Sequence, residues 1–288
     1  MPAQNHVENP LEYALEHASW ALRDIGRALT APVHRHVAAE PIVIRAITPE
    51  DLGLALREGL ADLGAARADV VFLALIYPIA GLVLARLAFS YDFLPLIFPL
   101  ASGFAILGPL AAVGLYEISR RRQAGEPLTA AAITSVLRSP ALGSILGLGA
   151  ILVLLFLAWM ATAWAVYAVT LGPAPPASAA QFISQVLTTP AGWTMIVVGC
   201  ALGAVFAAAA FVLSAISFPL LLDRDVGIGA AVAASARAVR RNPQVMAMWA
   251  AFIALALALG SLPALAGLIF VVPWLGHATW RLYRRLVV

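Results

Sequence analysis

Residues 243–285 read PQVMAMWAAFIALALALGSLPALAGLIFVVPWLGHATWRLYRR, and no Asp, Glu, Lys or Arg falls between Arg241 and Arg281. At about 1.5 Å of rise per helical residue, such a run crosses a hydrocarbon core of roughly 30 Å twice. Gly260-Ser261-Leu262-Pro263 in its middle is where a helix stops and turns. The stretch predicts a transmembrane hairpin with arginines at both ends. Two earlier parts of the chain repeat that plan.

Composition agrees: 62% of the residues are hydrophobic, 11% are charged and the mean hydropathy is +0.91. These values lie far outside the soluble average and predict a polytopic, all-α membrane protein. All 18 basic residues are arginine. The pI near 9.4 does not indicate nucleic-acid binding, because the arginines stand at the ends of apolar runs, where the positive-inside rule accounts for them. The one cysteine, Cys200, lies inside an apolar run, which excludes a disulfide framework within the chain. The N-terminal residues lack the pattern of a cleaved signal, so the first spanning helix is expected to act as the targeting signal.

In chain order, Asn9-Pro10-Leu11-Glu12 opens an amphipathic helix to about Leu29, and a linker follows to residue 47. That helix is expected on the membrane surface, on a partner, or on the protein's own cytoplasmic side. His34 and His36 in the linker carry no further metal ligands. Residues 1–47 form a cytoplasmic N-terminal region and 48–288 the membrane domain. Thr48-Pro49-Glu50-Asp51 resembles a capping box opening a second amphipathic helix, with Leu52, Leu56, Leu60 and Leu63 as its apolar face. Six spans are expected at about 70–89, 94–116, 142–169, 193–217, 244–260 and 263–282. Short helices follow Glu126-Pro127-Leu128 and run over 178–187 with a Ser-x-x-Gln cap, and a small amphipathic helix covers 229–241.

A repeat supports this plan. Pro99, Gly103, Pro109, Arg120 and Arg121 recur at one offset as Pro263, Gly267, Pro273, Arg284 and Arg285, with Tyr116 matched by Trp280. Arg138-Ser139-Pro140 aligns likewise with Arg241-Asn242-Pro243. The reading is three parallel repeats of an interfacial helix plus a transmembrane hairpin. All arginines except Arg86 fall on the side of the termini, so both termini are expected in the cytoplasm of a bacterial cell, with the chain in the inner membrane.

The spans hold few groups for chemistry: Cys200, Arg86, Tyr77 and His277. No phosphate-binding glycine loop, nucleophile elbow or zinc-protease motif is present. No catalytic residue, metal site or cofactor is expected, and the intramembrane histidines are too few for a respiratory oxidase core. Tyr77, Arg86 and Asp92 form the candidate intramembrane polar site; Arg86 reaches the outer surface or pairs with Asp92. Arg120, Arg121, Arg240, Arg241, Arg284 and Arg285 are the candidate contacts for anionic lipid head groups on the cytoplasmic face.

Three stretches carry a family likeness: IRAITPEDLGLALREGLADL, FPLLLDRDVGIGAAVAASARAVRRNP and LGHATWRLYRRLV. Through them the chain resembles the DUF2189 family of predicted bacterial integral membrane proteins, over about residues 42–288. The resemblance implies six helices in a bacterial inner membrane and no established activity. One departure is Ala65-Ala66-Arg67, where a proline would be expected before the first span. The expected role is that of an accessory, scaffold or assembly partner in a membrane-protein complex or homo-oligomer. The alternative is a transporter or permeability pathway for a small or lipid-like molecule.

Overall fold

The computed structural model describes residues 42–64, 91–126, 139–263 and 265–288. The expected N-terminal helix, the span at 70–89 and the short helix after Pro127 lie outside the described residues. Within them the chain forms helices α1 (Pro49–Gly64), α2 (Ile97–Ala111), α3 (Val113–Gln123), α4 (Leu142–Thr170) and α5 (Ala179–Thr188). These are followed by α6 (Pro190–Ser214), α7 (Ser217–Asp223), α8 (Ile228–Arg241), α9 (Pro243–Ser261) and α10 (Leu268–Leu286). A 3-10 helix, Tyr91–Leu96, leads into α2.

Four helical runs are long and apolar enough to cross a membrane: Leu94–Gln123, Leu142–Thr170, Pro190–Asp223 and Pro243–Ser261. They coincide with four expected spans. Helix α10 differs from its expected bounds, because it starts only at Leu268, after turn residues at 263 and 265–267, and Arg281, Arg284 and Arg285 lie within its C-terminal half. The repeat positions also differ locally: Pro99 and Gly103 lie inside α2, whereas Pro263 lies in a turn and Gly267 at the cap of α10.

The helix ends follow from local chemistry. Thr48 N–H and its hydroxyl both donate to Asp51 Oδ2, at 2.8 and 3.0 Å, and Asp51 N–H returns a bond to Thr48 Oγ1 at 3.3 Å, which completes the capping box of α1. Ser178 Oγ accepts from Gln181 N–H, and Thr189 Oγ1 accepts from Gly192 N–H ahead of Pro190 at the first turn of α6. Helix α3 closes with Gly125 at φ 69°, where its N–H donates to the Arg122 carbonyl and Glu126 N–H donates to the Arg121 carbonyl. That turn folds the Glu126 carboxylate back beside Arg121, at 3.2 Å.

The long runs are broken where the ladder fails. Helices α2 and α3 separate at Ala112, shortly after Pro109, which has no N–H to donate to the preceding turn. Helix α6 ends before Ile216, and Ser235 Oγ of α8 accepts the Ile216 N–H at 3.4 Å. Ser217 Oγ donates to the Leu213 carbonyl at 2.6 Å and to the Ala231 carbonyl at 3.2 Å. The break is thus filled by α8 rather than left unsatisfied.

Helix α4 is the axis of the packing. Its 29 residues span about 43 Å. Near its start, Gly147 faces Ile228 of α8; near its end, Tyr167 meets Phe182 of α5 edge-on at 6.2 Å. Between these points a side chain on Gly103 would overlap the Phe156 ring, and Gly203 lies against Trp159, so α2 and α6 approach α4 closely.

The start and end of the described chain are stitched together. Ile44 and Val287 form an antiparallel bridge, with Arg45 N–H donating to the Leu286 carbonyl at 2.8 Å. Asn242, 5% exposed, holds the same strand: its Oδ1 accepts from Ile47 N–H at 2.8 Å and its Nδ2 donates to the Arg45 carbonyl at 3.0 Å. Asn242→Ala leaves those backbone groups without partners. It is expected to cost about 1–3 kcal/mol, read as a lowered Tm of the detergent-purified protein.

The face that α1 buries departs from the leucine stripe. Leu52, Ala55, Gly59 and Asp62 are buried, whereas Leu60 is 53% exposed. Gly59 explains the shift, because a Cβ built there would lie 2.6 Å from the Ala278 backbone nitrogen of α10. Contact that close requires the small-residue face, and Leu60 is turned away from it.

Candidate functional site

The ion pairs of the described residues gather where the C-terminal ends of α1, α3, α7 and α10 converge. Asp62, 3% exposed, accepts from Arg281 Nε and Nη2, both at 2.8 Å, in a bidentate pair. Arg122 lies 3.4 Å from the same carboxylate and donates to the Asp62 carbonyl at 2.8 Å, capping the end of α1. Glu58 accepts from Arg285 at 2.6 and 3.0 Å. The hydrogen-bonded Arg285 guanidinium holds the Glu58 carboxyl below its ordinary range against the opposing effect of partial burial.

Two further carboxylates complete the cluster. Glu117, 2% exposed, accepts from Arg120 at 2.8 and 2.9 Å and from Arg121 at 2.6 Å, as its spacing three and four residues ahead of them on α3 allows. Asp223 at the end of α7 accepts from the Tyr283 hydroxyl at 2.7 Å and from Arg284 at 3.0 Å. Each carboxylate here faces at least one guanidinium, so its lone pairs are committed to holding helices together.

Inside this ring lies a buried pair. Ser119 Oγ and His277 Nδ1 share a hydrogen bond of 2.6 Å, both residues are fully buried, and His277 Nε2 has no hydrogen-bond partner among the described residues. The pair joins α3 to α10, and Trp280 Nε1 donates to Gln123 Oε1 at 3.0 Å beside it. The burial that seals the Ser119 hydroxyl also keeps it from any dissolved substrate. Among the described residues no group of three His, Cys, Asp or Glu side chains could hold a metal ion.

A cleft of about 230 Å³ opens on the apolar flank between α2, α4 and α6, lined by Phe98, Ser102, Ile106, Trp159, Cys200 and Phe206. Its polar groups are engaged: the Trp159 indole N–H and the Ser102 hydroxyl both donate to the Pro99 carbonyl, at 2.9 and 3.1 Å.

The sequence-derived candidates fall into three groups. Tyr77 and Arg86 lie outside the described residues, and Asp92 lies in the 3-10 helix, described by its backbone alone. Arg120, Arg121, Arg284 and Arg285 are brought together in the ion-pair cluster. Arg240 and Arg241 stand apart on α8 and are exposed. The buried members Asp62, Glu117, Ser119 and the Ser119–His277 pairing were not singled out from sequence. Asp62 had a signal, since it continues the spacing of Leu52, Ala55 and Gly59 on one helical face.

Residues 97–223 match the family model DUF2189, described as a predicted integral membrane protein. The match covers the middle of the chain, so the stretches before α2 and in α10 that carried the resemblance lie outside it. No curated protein and no solved structure matches the chain significantly.

Proposed function

We propose that this chain, with a predicted integral membrane protein family matched across its middle, is a non-catalytic scaffold or assembly partner within a membrane complex. The observation that carries the reading is the outward face of α6. In the most apolar window of Pro190–Asp223 only 6% is buried, against 28–29% in the other three long apolar runs. Val197, Ala201, Ala204, Val205 and Ala208 lie along one exposed stripe, and its three alanines let another helix approach closely. The buried carboxylates Asp62 and Glu117, by contrast, are occupied with arginines of the same chain.

The finer architecture belongs to the same proposal. Gly64 ends beside Arg122, at the arginine-rich end, while the helix at Tyr91 packs beside α4 and α5 at the other. In that reading α10 supplies the last of six spans. Both termini then face the cytoplasm of a bacterial inner membrane, in three parallel repeats.

Extraction of the tagged native protein in mild detergent, followed by mass spectrometry of what co-purifies, tests the role. A stoichiometric membrane complex is expected, and Ala201→Phe with Ala208→Phe on the exposed stripe should reduce its recovery at least tenfold. Recovery of the protein alone with lipid overturns the scaffold reading and directs attention to transport assays.

A further inference from the structure

Of the described arginines outside the ion-pair cluster, three share a single helix face. Arg237, Arg240 and Arg241 of α8 are exposed, lie at spacings of three and four residues, and meet no carboxylate among the described residues. The opposite face is Ala231, Ala234, Ser235 and Ala238, all buried to the backbone. That alanine face lies flush on the protein. It is fixed by Ser217 Oγ donating to the Ala231 carbonyl, by Ser235 Oγ at the Ile216 amide and by Asn242 Nδ2 donating to the Ala238 carbonyl at 3.2 Å. The arginine face is therefore held outward.

Position decides what it meets. Helix α8 connects two of the long apolar runs, Pro190–Asp223 and Pro243–Ser261, and Arg241 stands two residues before the second begins. A basic face at the start of a membrane span lies at head-group depth. Guanidinium groups bind phosphate oxygens bidentately, and three positive charges that meet no carboxylate among the described residues favour a lipid of net negative charge over a zwitterionic one.

We infer that α8 is a binding face for anionic phospholipid head groups, with Arg237, Arg240 and Arg241 as the contacts. Arg120, Arg121, Arg284 and Arg285 serve instead as internal ion pairs. This assignment stands on the charge and mounting of α8 and does not depend on the scaffold role.

The test is native mass spectrometry of lipid retained by the full chain from mixed micelles of phosphatidylglycerol and phosphatidylcholine. The wild type is expected to retain phosphatidylglycerol in preference. Each basic residue at an anionic surface is worth about fivefold, so Arg237→Gln, Arg240→Gln and Arg241→Gln combined should cut the preference at least about tenfold. The corresponding lysine substitutions, which keep the charge, should retain most of it and show that loss is not unfolding. Salt of about 0.5 M should weaken the wild-type preference. Full preference in the glutamine variant, or no preference in the wild type, overturns the assignment. So does loss of an acidic protein partner from the glutamine variant with lipid retention unchanged.

Discussion

Replacing Arg281 with methionine is expected to lower the stability of the folded protein by about 3–5 kcal/mol, the cost of leaving a buried charge without its partner. Asp62 is 3% exposed, and both of its oxygens are satisfied by Arg281 at 2.8 Å. Methionine preserves the apolar stem of Arg281, so the loss is electrostatic rather than one of packing. Arg122 approaches the same carboxylate only at 3.4 Å and is drawn toward the Asp62 carbonyl, so it compensates in part. Combining Arg281→Met with Asp62→Leu removes the stranded charge and should recover most of the loss, since apolar replacements of buried ion pairs are often close to neutral. Thermal or denaturant unfolding of the purified protein checks both: a single variant as stable as wild type, or a double variant no better than the single, would refute the account.

Gly59→Val is the second large effect, expected to destabilise by about 3 kcal/mol and to release α1 from α10. The Cβ of any replacement meets Ala278 N, Cα and Cβ at 2.6–2.9 Å. Two of those atoms are backbone, so no rotamer change relieves the overlap and the helices must part. Parting them also separates Asp62 from Arg281 and Glu58 from Arg285, which couples the steric cost to the electrostatic one. Gly53 on the same helix has nothing within 4 Å of a built Cβ. Gly53→Ala should therefore stabilise by about 0.5–1 kcal/mol through helix propensity. Limited proteolysis within α1, accelerated in Gly59→Val and unchanged in Gly53→Ala, would separate the two. Equal behaviour of the variants would sink the close-contact argument.

The long apolar runs were legible because hydropathy and length report on a bilayer without reference to any partner. The caps were legible as well, since Thr48 with Asp51 and Ser178 with Gln181 act within one turn. What could not be read was the use of the arginines. Position alone suggested that Arg120, Arg284 and Arg285 face lipid, yet their carboxylates are Glu117 nearby and Asp223 and Glu58 at large sequence separations. Pairings across such separations leave no periodic trace. The leucine stripe of α1 misled for a related reason: the dominant contact is made by the absence of a side chain at Gly59, which periodicity cannot weigh.

The pairing of Asp62 with Arg281 across 219 residues also sets an order of events during synthesis. The chain emerges N-terminus first, so α1 is made with Asp62, Glu58 and the bare backbone at Gly59 all awaiting α10, whose Arg281 is translated 219 residues after Asp62. Until α10 arrives, Arg122 of α3 can reach Asp62, but Glu58 and Gly59 still lack the helix they pack against. Closure of the domain is therefore a late event that a nascent chain truncated before Arg281 cannot complete.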